Sequence, residues 1–310
     1  MLNSGTFRRS RIPVSLLYHG TPPQDSDGVD AHTLERHLVF LKKHFDIVRF
    51  SAATSETSCQ GKPRVALTFD DGYRNNAELA APILRRHRLP ATFFVCRRHC
   101  QPGKYLWFSH LNALERHFAG NGFLFHGEFI DMSPESRKES VKRLRAHLLS
   151  LRPHPGAMYR EIEDHLPAIE DVVDKDVVRM RYAGVTEEQI TELAEDDLFS
   201  VQAHTEDHPF LTLCSPHDAL KQLSENKTWL ESITGKPCLA VAYPSGDYDS
   251  LTVDLCKSLG FENGFAVISK KLNFAAYEIP RIGVYSKSVK VLAVKARFGH
   301  TIRGLRVPVG

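Results

Sequence analysis

The chain has 310 residues, of which 42% are hydrophobic and 25% are charged, as in a globular protein with one barrel-like domain or two smaller ones. No apolar run approaches the ~20 residues that a membrane-spanning helix needs, and the net charge of +3 is too small to indicate nucleic-acid binding. The six cysteines are scattered, with Cys96 and Cys100 as the only close pair. This spacing matches neither a disulfide framework nor a zinc ribbon and fits free thiols in a reducing cytoplasm.

The two ends of the chain bear on location. A short apolar stretch, Pro13 to Tyr18, follows the basic N-terminal residues, and no small-residue cleavage site comes after it. We therefore expect no secretory signal and a cytoplasmic location, with membrane association left open. No acidic residue follows Glu278, and a solvated basic tail is favoured over a patch that contacts an anionic membrane surface. The basic residues in question are Lys287, Lys290, Lys295, Arg297, Arg303 and Arg306.

Apolar runs typical of buried strands alternate along the chain with segments of helical periodicity. Helices are predicted over 31–45 and over 216–233, the second capped by Ser215, and residues 186–189 form a capping box that opens another helix. Strands separated by helices predict an α/β fold with a parallel sheet, either open or closed into a barrel. The predicted strands are 13–18, 65–69, 91–95, 198–203, 238–243, 263–267 and 281–285.

Residues 103–185 interrupt this alternation. They carry several helical patterns, including one over 134–151, and no convincing strand. A segment of this length with its own periodicity predicts a helical insertion. We therefore expect residues 1–310 to form a single domain that contains this insertion.

Two adjacent carboxylates, Asp70 and Asp71, stand directly after the apolar run 65–69 and before Gly72. Like charges at the end of a buried strand repel each other, and burial penalises both ionised forms. A folded protein tolerates such a pair where a cation or a shared proton lies between the two groups. A solvated Asp-Gly turn is the alternative interpretation.

Three further motifs also follow predicted strands. His204 and His208 are four residues apart, so one turn of chain can aim both imidazoles at one point. Two histidines and one aspartate make a plausible ligand set for a catalytic divalent metal. The "AYPSGDYD" segment at 242–249 contains a turn whose N–H groups could face an anion, and His19 follows the first strand. All these strand ends would meet on one face of a parallel barrel, where barrel enzymes have their active sites.

The same motifs carry a resemblance to a known family. "LTFDDG" from Leu67, "HTEDHPFL" from His204 and "YPSGDYD" from Tyr243 resemble, in this order, the first three motifs of the polysaccharide deacetylase family (NodB-homology domain, carbohydrate esterase family 4). The resemblance covers roughly residues 13–100 and 186–285. It implies a distorted (β/α)7 barrel, and the helical insertion is not needed for the match.

The resemblance also implies roles for individual residues. Asp71, His204 and His208 correspond to the family's metal ligands, and Asp70 corresponds to its catalytic base. The backbone N–H of Ser245 falls where the family supplies a donor to the oxyanion. The implied cofactor is a divalent metal ion, with zinc favoured.

The chain departs from the family pattern at two places. Ala242 and the residue before it stand where the third motif often has an arginine that orients the base, and Arg281 is the candidate substitute. The late Leu-x-His motif that carries the general acid is missing from the C-terminal region, where His300 lacks the leucine. Residues 17–19, Leu-Tyr-His, match that motif at the other end of the chain. Because the first and last strands of a barrel are neighbours, circular permutation would deliver the same imidazole, and we favour His19 over His300.

The implied activity is a metal-dependent hydrolysis that removes an N-acetyl or related N-acyl group from an amino sugar or saccharide. A formyl or cyclic-amide substrate is a second hypothesis, and a catalytically silent saccharide-binding protein is a third. The expected partner is an N-acylated saccharide, and the sequence does not choose between a lipid-linked and a nucleotide-linked form. Tyr105, Trp107 and Phe108, at the start of the insertion, suit either stacking on sugar rings or anchoring the insertion to the barrel.

Overall fold

The protein is described by a computed structural model that covers residues 13–23, 28–50, 62–267 and 276–299. Within these ranges the strands are β1 (Val14–Tyr18), β2 (Asp46–Ile47), β3 (Arg64–Phe69), β4 (Ala91–Val95), β5 (Gly122–Phe125), β6 (Glu128–Asp131), β7 (Phe199–Ala203), β8 (Ala240–Ala242), β9 (Asn263–Ala266) and β10 (Ile279–Gly283). Seven of them form a closed parallel barrel in the order β1, β10, β9, β8, β7, β4, β3 and back to β1.

Strand β1 closes the barrel because it pairs in parallel with both β3 and β10. Tyr18 lies opposite Phe69 on β3, and Leu17 lies opposite Gly283 on β10. The barrel is irregular between β7 and β8, which share a single pair of facing residues, Ala203 and Val241. The prediction of a distorted (β/α)7 barrel is confirmed.

The barrel strands are apolar along most of their length because both faces of a parallel sheet are covered. All five residues of β1 and of β4 are buried. Phe69 stacks on Tyr18 at 5.3 Å and on Phe93 at 5.2 Å between ring centroids. Each fully buried aromatic side chain contributes roughly 1.5–3 kcal/mol to stability, so this stack is a substantial part of the barrel core.

The α-helices within the described residues are numbered in chain order. They are α1 (Ala31–His44), α2 (Ala81–His87), α3 (Arg97–Cys100), α4 (Trp107–His117), α5 (Arg137–Ser150), α6 (Pro155–His165), α7 (Ile169–Val172), α8 (Lys175–Val177), α9 (Glu187–Glu195), α10 (Pro216–Thr234), α11 (Ser250–Ser258) and α12 (Val289–Phe298). The described ranges also contain two π-helical turns, Asn76–Ala80 and Val178–Tyr182, and two 3-10 turns, Leu211–Leu213 and Pro244–Gly246.

The predicted helix boundaries rest on local capping, and the structure confirms them. Thr186 accepts a hydrogen bond from the backbone of Gln189, whose side chain accepts one from the backbone of Thr186, which is the reciprocal pattern of a capping box. The side chain of Ser215 caps α10 through the N–H of Asp218. Gly235 ends the same helix at φ +62°, a conformation that glycine adopts with little strain.

The segment between β4 and α9 contains helices α3 to α8 and packs around a core of its own, which includes Leu111, Met132 and Ile162. It also contains an antiparallel hairpin, β5–β6, that the sequence analysis did not predict. The hairpin strands are four residues long, too short for an alternating pattern to stand out. His126 and Gly127 form its turn, both with positive φ, as two-residue hairpin turns require.

The C-terminal cations are partly engaged inside the protein. Lys295 is buried and donates a hydrogen bond to the Gly283 carbonyl oxygen at 2.7 Å, and Lys287 Nζ lies 3.2 Å from Asp30 Oδ2. Arg303, Arg306 and His300 lie outside the described residues. The basic surface is therefore smaller than the sequence suggests, since two of its members have internal partners.

Two further observations concern the cysteines and the membrane. Cys96, Cys100, Cys214, Cys238 and Cys256 are free thiols, as predicted, whereas Cys59 lies outside the described residues. In the described part of the chain, each helix is too short or too polar to cross a bilayer.

Candidate active site

Apart from Arg281, which lies within β10, the predicted functional residues follow the carboxyl ends of barrel strands, and β1 and β3 end side by side. The N–H of Asp70 donates to the carbonyl oxygen of Tyr18 at 3.0 Å, which continues the pairing of these strands by one step. His19 and Asp70, the residues that follow the last strand pair, therefore stand at the same level of the barrel. The adjacency of strand ends, which the sequence indicated, is what brings them together.

Asp71, His204 and His208 converge at this end and form what we call the barrel cluster. Asp71 Oδ1 lies 3.3 Å from His204 Nε2 and 3.5 Å from His208 Nε2. All three side chains are buried, and their ligand atoms lie within 4.8 Å of one another. Tetrahedral zinc with nitrogen and oxygen ligands holds its donors about 3.4 Å apart, so the spacing fits a single small cation.

The hydrogen bonds of the barrel cluster also fit a cation. His204 Nδ1 lies 2.8 Å from the Ala242 carbonyl oxygen, which can only accept, so Nδ1 carries the ring proton in that bond. In the neutral ring the lone pair of Nε2 then faces Asp71 Oδ1, another acceptor. Asp71 Oδ1 and His208 Nδ1 are buried without a hydrogen-bond partner among the described residues. A cation between the three ligand atoms would satisfy Asp71 Oδ1 and the lone pair of His204 Nε2, and a backbone carbonyl behind a histidine is a common support for a metal ligand.

The electrostatics of the barrel cluster favour an ionised carboxylate beside a neutral imidazole. Burial opposes ionisation of Asp71, but its interactions with His204, His19 and His208 outweigh burial and hold the pKa of Asp71 well below its usual range. Burial lowers the pKa of His208 to about 4, which keeps this ring neutral at physiological pH. Burial also acts to lower the pKa of His204, but Asp70 and Asp71 outweigh it and raise that pKa.

Arg281 pairs with Asp70 through two parallel hydrogen bonds, Nη1 to Oδ1 at 2.5 Å and Nη2 to Oδ2 at 2.7 Å. Its side chain is fully buried, and its guanidinium lies 5.2 Å from the ring of Phe94 and 5.9 Å from that of Phe265. Bidentate contacts between a guanidinium and a carboxylate fix the orientation of the carboxylate. Arg281 reaches Asp70 from the middle of β10, and not from the start of the last strand as the sequence analysis expected.

His19 is half-buried and lies near the barrel cluster. Its ring stacks on Tyr285 with 5.6 Å between centroids, and its charge is close enough to contribute to the low pKa of Asp71. The strand before it, β1, pairs directly with β10, the last strand of the barrel. This is the adjacency that a permuted histidine requires, whereas His300 lies outside the described residues.

Ser245 lies in the 3-10 turn that follows β8, with φ +55° and an exposed side chain. The next residue but one, Asp247, ties this turn to the loop after His208, because its carboxylate accepts hydrogen bonds from the N–H and the hydroxyl of Thr212. The turn that carries the Ser245 N–H and the loop that carries His208 are therefore held together as one rim.

Backbone strain is concentrated around this site. Asp71, Thr205, His208 and Ser245 all have positive φ, between 53° and 73°, although none is a glycine. Such conformations cost of order 1–3 kcal/mol each and persist only where surrounding contacts impose them. Their concentration at one end of the barrel indicates that the fold holds these side chains in place for a function.

Two supporting residues were missed by the sequence analysis. His99 is buried in α3, with one ring nitrogen 3.0 Å from the Asp71 carbonyl oxygen and the other 2.7 Å from that of Tyr182. Asn226, from α10, accepts a hydrogen bond from the N–H of His204 at 3.0 Å. His99 also follows a barrel strand, so its position in the sequence could have indicated that it lies at this end of the barrel. Asn226 reaches the site from the middle of a helix, and its position gives no such indication.

The aromatic residues at the start of the insertion divide between two roles. Trp107 is 7% exposed and packs in the core of the insertion itself. Phe108 instead contacts the barrel cluster, with its ring edge-on to His208 at 5.4 Å. Trp107 also lines, together with Tyr159 and Phe210, a small cleft beside His208. The insertion therefore forms one wall of the site.

Comparison with known proteins assigns the chain to a family. The family model described as polysaccharide deacetylase matches residues 57–264, more than half of the chain. The chain belongs to the polysaccharide deacetylase family. As a member of this family it is 20% identical over 263 residues to YxkH of Bacillus subtilis (strain 168), which is itself named only by family. That match covers 84% of this chain and 65% of YxkH, so the chain spans slightly less than two thirds of this relative.

Two solved structures share the fold of this family member. The Streptococcus pyogenes deacetylase PplD, solved with acetate, aligns with a TM-score of 0.58 and 18% identity over 91% of this chain and 96% of PplD. IcaB from Ammonifex degensii aligns with the same TM-score and identity over 92% of this chain and 96% of IcaB. At these identities the likeness shows a common barrel, and it agrees with the closed seven-stranded topology.

Proposed function

We propose that this protein is a metal-dependent hydrolase that removes an N-acetyl or related N-acyl group from an amino sugar of a saccharide. The observation that carries this proposal is the juxtaposition of the barrel cluster with the Asp70–Arg281 pair at the end of a deacetylase-type barrel. His204 Nε2 is 3.9 Å from Asp70 Oδ2, so a candidate metal ligand and a candidate base border the same space.

Asp71, His204 and His208 would hold the ion. Two imidazole nitrogens and one carboxylate oxygen leave room for further ligands and suit zinc. An ion at this position would polarise the acyl oxygen and lower the pKa of a water molecule beside it. The chain itself supports the imidazole that binds such an ion, since the Ala242 carbonyl fixes the ring of His204.

Asp70 would accept the proton of the attacking water. Arg281 occupies one edge of the carboxylate with both of its terminal nitrogens, which leaves the remaining lone pairs of the two oxygens to receive a proton. The guanidinium thereby positions Asp70 for the reaction. General base catalysis from a fixed carboxylate typically contributes on the order of 10² to 10⁴ in rate.

His19 would donate a proton to the departing amine, a role that suits an imidazole near neutral pH. It follows β1, which pairs with the strand that precedes Asp70, so a substrate over the ends of β1 and β3 would meet the base and the acid together. The backbone N–H of Ser245 would donate to the oxyanion from the rim that also carries His208. Phe108, edge-on to His208, offers an apolar face to the acyl group or to a sugar ring.

An acetate- and formate-release screen tests this proposal. N-acylated saccharides in free, lipid-linked and nucleotide-linked form would be incubated with chelator-treated protein, with and without added zinc. Zinc-dependent release of acetate is the expected result, and release of formate alone would favour the second hypothesis. Binding of saccharide without release of either acid, in protein that retains its ion, would support a silent binding protein and overturn the proposed activity.

We also propose that residues 1–310 form one domain with residues 103–185 as its insertion, in a protein that works in the cytoplasm. Support for the insertion comes from β4 and β7, which flank it in sequence and pair along five residues in the barrel.

Contact of the C-terminal region with an anionic membrane is a further proposal. Helix α12 exposes Val291, Val294 and Phe298 by 40–48%, and co-sedimentation with anionic vesicles would test it.

A further inference from the structure

A second set of imidazole and carboxylate groups lies on the insertion, away from the barrel cluster. It consists of His126 in the β5–β6 turn, His147 on α5 and Glu161 on α6, and we call it the insertion cluster. Nε2 of His126 and Nε2 of His147 both donate to the same oxygen, Glu161 Oε1, at 2.5 and 2.8 Å. Three elements that are separate in sequence thus direct their ligand atoms to one point.

The surroundings of the insertion cluster add a fourth imidazole and an apolar wall. His165 stands one helical turn beyond Glu161 on α6, and its ring centroid is 4.1 Å from that of His126. Phe125, which is buried, places its ring 4.6 Å from His126 and 5.2 Å from His147. Histidines packed against an aromatic ring have fewer rotamers available, so their nitrogens are partly fixed before any ligand arrives.

We propose that the insertion cluster is a second zinc site, independent of the reaction at the barrel. Histidine and glutamate are ordinary zinc ligands, and two or three imidazoles with one carboxylate suit a tetrahedral ion. Binding would break the two N–H···O bonds to Glu161. Each neutral ring would move its proton from Nε2 to Nδ1, and a doubly protonated ring would release its Nε2 proton to solvent, so that Nε2 offers its lone pair to the ion.

Zinc at the insertion cluster would join the hairpin to α5 and α6. This link matters because the residues around the start of α6 line the cleft beside His208, among them Pro155, Met158 and Tyr159. Tyr159 also donates a hydrogen bond to the Asp207 carbonyl oxygen at 2.9 Å, next to His208 in the chain. The ion would therefore stabilise the position of α6, the part of the insertion that lines the cleft beside His208.

The alternative is a histidine–glutamate ion-pair network that needs no metal. Zinc uptake by the full-length, chelator-treated protein distinguishes the two, measured by equilibrium dialysis at micromolar zinc. The native protein should take up one more equivalent of zinc than His147→Gln or Glu161→Gln. His154→Gln, which removes an exposed histidine just before α6, should match the native protein. Cobalt(II) in place of zinc should give a tetrahedral visible spectrum that His147→Gln weakens.

The barrel variant His204→Ala separates this inference from the proposed function. His204→Ala should still bind the equivalent of zinc that is lost in His147→Gln. Equal zinc uptake by native protein, His147→Gln and Glu161→Gln would overturn the second site, whatever the barrel cluster binds. The opposite outcome is a native protein that binds one equivalent of zinc, which is lost in His147→Gln and retained in His204→Ala. That result would support the insertion cluster as a zinc site and contradict the metal in the proposed mechanism.

Discussion

The barrel cluster and the insertion cluster contain the same groups, two histidines and one carboxylate, but in opposite surroundings. In the barrel cluster the side chains of Asp71 and His204 are each 2% exposed, whereas His126 and His147 in the insertion cluster are 46% and 40% exposed. The exposed groups satisfy one another through direct hydrogen bonds of 2.5–2.8 Å. The buried donors stand 3.3–3.5 Å apart, a distance that suits an ion between them.

The difference between the two clusters shows that the effect of a charged side chain on stability depends on whether it is buried. A buried carboxylate that is left unpaired is strongly destabilising, so the barrel must supply a partner for each one: Arg281 for Asp70, and in our proposal a cation for Asp71. An exposed pair has water as an alternative partner and contributes little. We therefore expect substitutions at the end of the barrel to have large effects and those on the insertion surface to have small ones.

The largest effect is expected from His204→Ala. This substitution removes a ligand whose ring is fixed by Ala242, so the barrel ion should be lost and acetate release should fall by several orders of magnitude to the background rate. Metal analysis together with a turnover assay checks it. His217→Ala, at an exposed position on α10, is the matched control. Retention of both metal and turnover in His204→Ala would mean that the barrel cluster is structural.

Asp70→Asn should keep the metal and lose turnover by about 10² to 10⁴, because it removes the base without removing a proposed ligand. The amide can still accept from Arg281 through its oxygen, so the fold should survive, although with reduced stability since the buried guanidinium loses its counter-charge. Metal content, thermal unfolding and turnover would be measured on the same preparation. Native-like turnover would assign Asp70 a purely structural role as the partner of Arg281.

His19→Ala should retain the metal and lower turnover by about 10², at the lower end of the range for a general acid. Because the acid must be protonated, the native rate should fall as pH rises through the pKa of the group, and this alkaline limb should flatten in the variant. Tyr285→Phe, which preserves the ring stacked on His19, serves as control. An unchanged alkaline limb in His19→Ala would leave the permutation argument without support.

The smallest effect is expected on the insertion surface, from Glu163→Gln. Glu163 is 41% exposed and pairs with Arg98 and, at 2.8 Å, with Lys104. Burial acts to raise its pKa, but Lys104 and Arg98 outweigh burial and lower it. We expect a loss of less than about 1 kcal/mol in the free energy of unfolding, because exposed ion pairs are screened by water and salt.

The pH dependence of this effect has a definite sign. A carboxyl group with a depressed pKa stabilises the folded state above its unfolded pKa of about 4.3 and loses that contribution as pH falls through the folded pKa. The native protein and Glu163→Gln should therefore differ at pH 7 and converge in acid. Urea unfolding at both pH values measures it, and a difference of several kcal/mol at pH 7 would show that the insertion surface behaves like the buried end of the barrel.

Local patterns in the sequence were sufficient for the barrel and for much of the site. Continuous apolar runs such as 65–69 identify strands that are covered on both faces, and caps such as Ser215 mark where helices begin, because both depend on neighbouring residues. Placing Asp70, Asp71, His204 and His19 at one end of the barrel also follows from the sequence, since parallel strands share the edge at which they end.

Only the tertiary structure decided which partners meet across the barrel and within the insertion. The pairing of Arg281 with Asp70 depends on how β10 and β3 flank β1, and the contact of Phe108 with His208 depends on how the insertion folds back on the rim. The insertion cluster joins a turn and two helices whose histidines have no common spacing in the sequence. Periodicity records which face of an element is buried, whereas contacts between distant elements depend on chain closure and packing, which no local pattern contains.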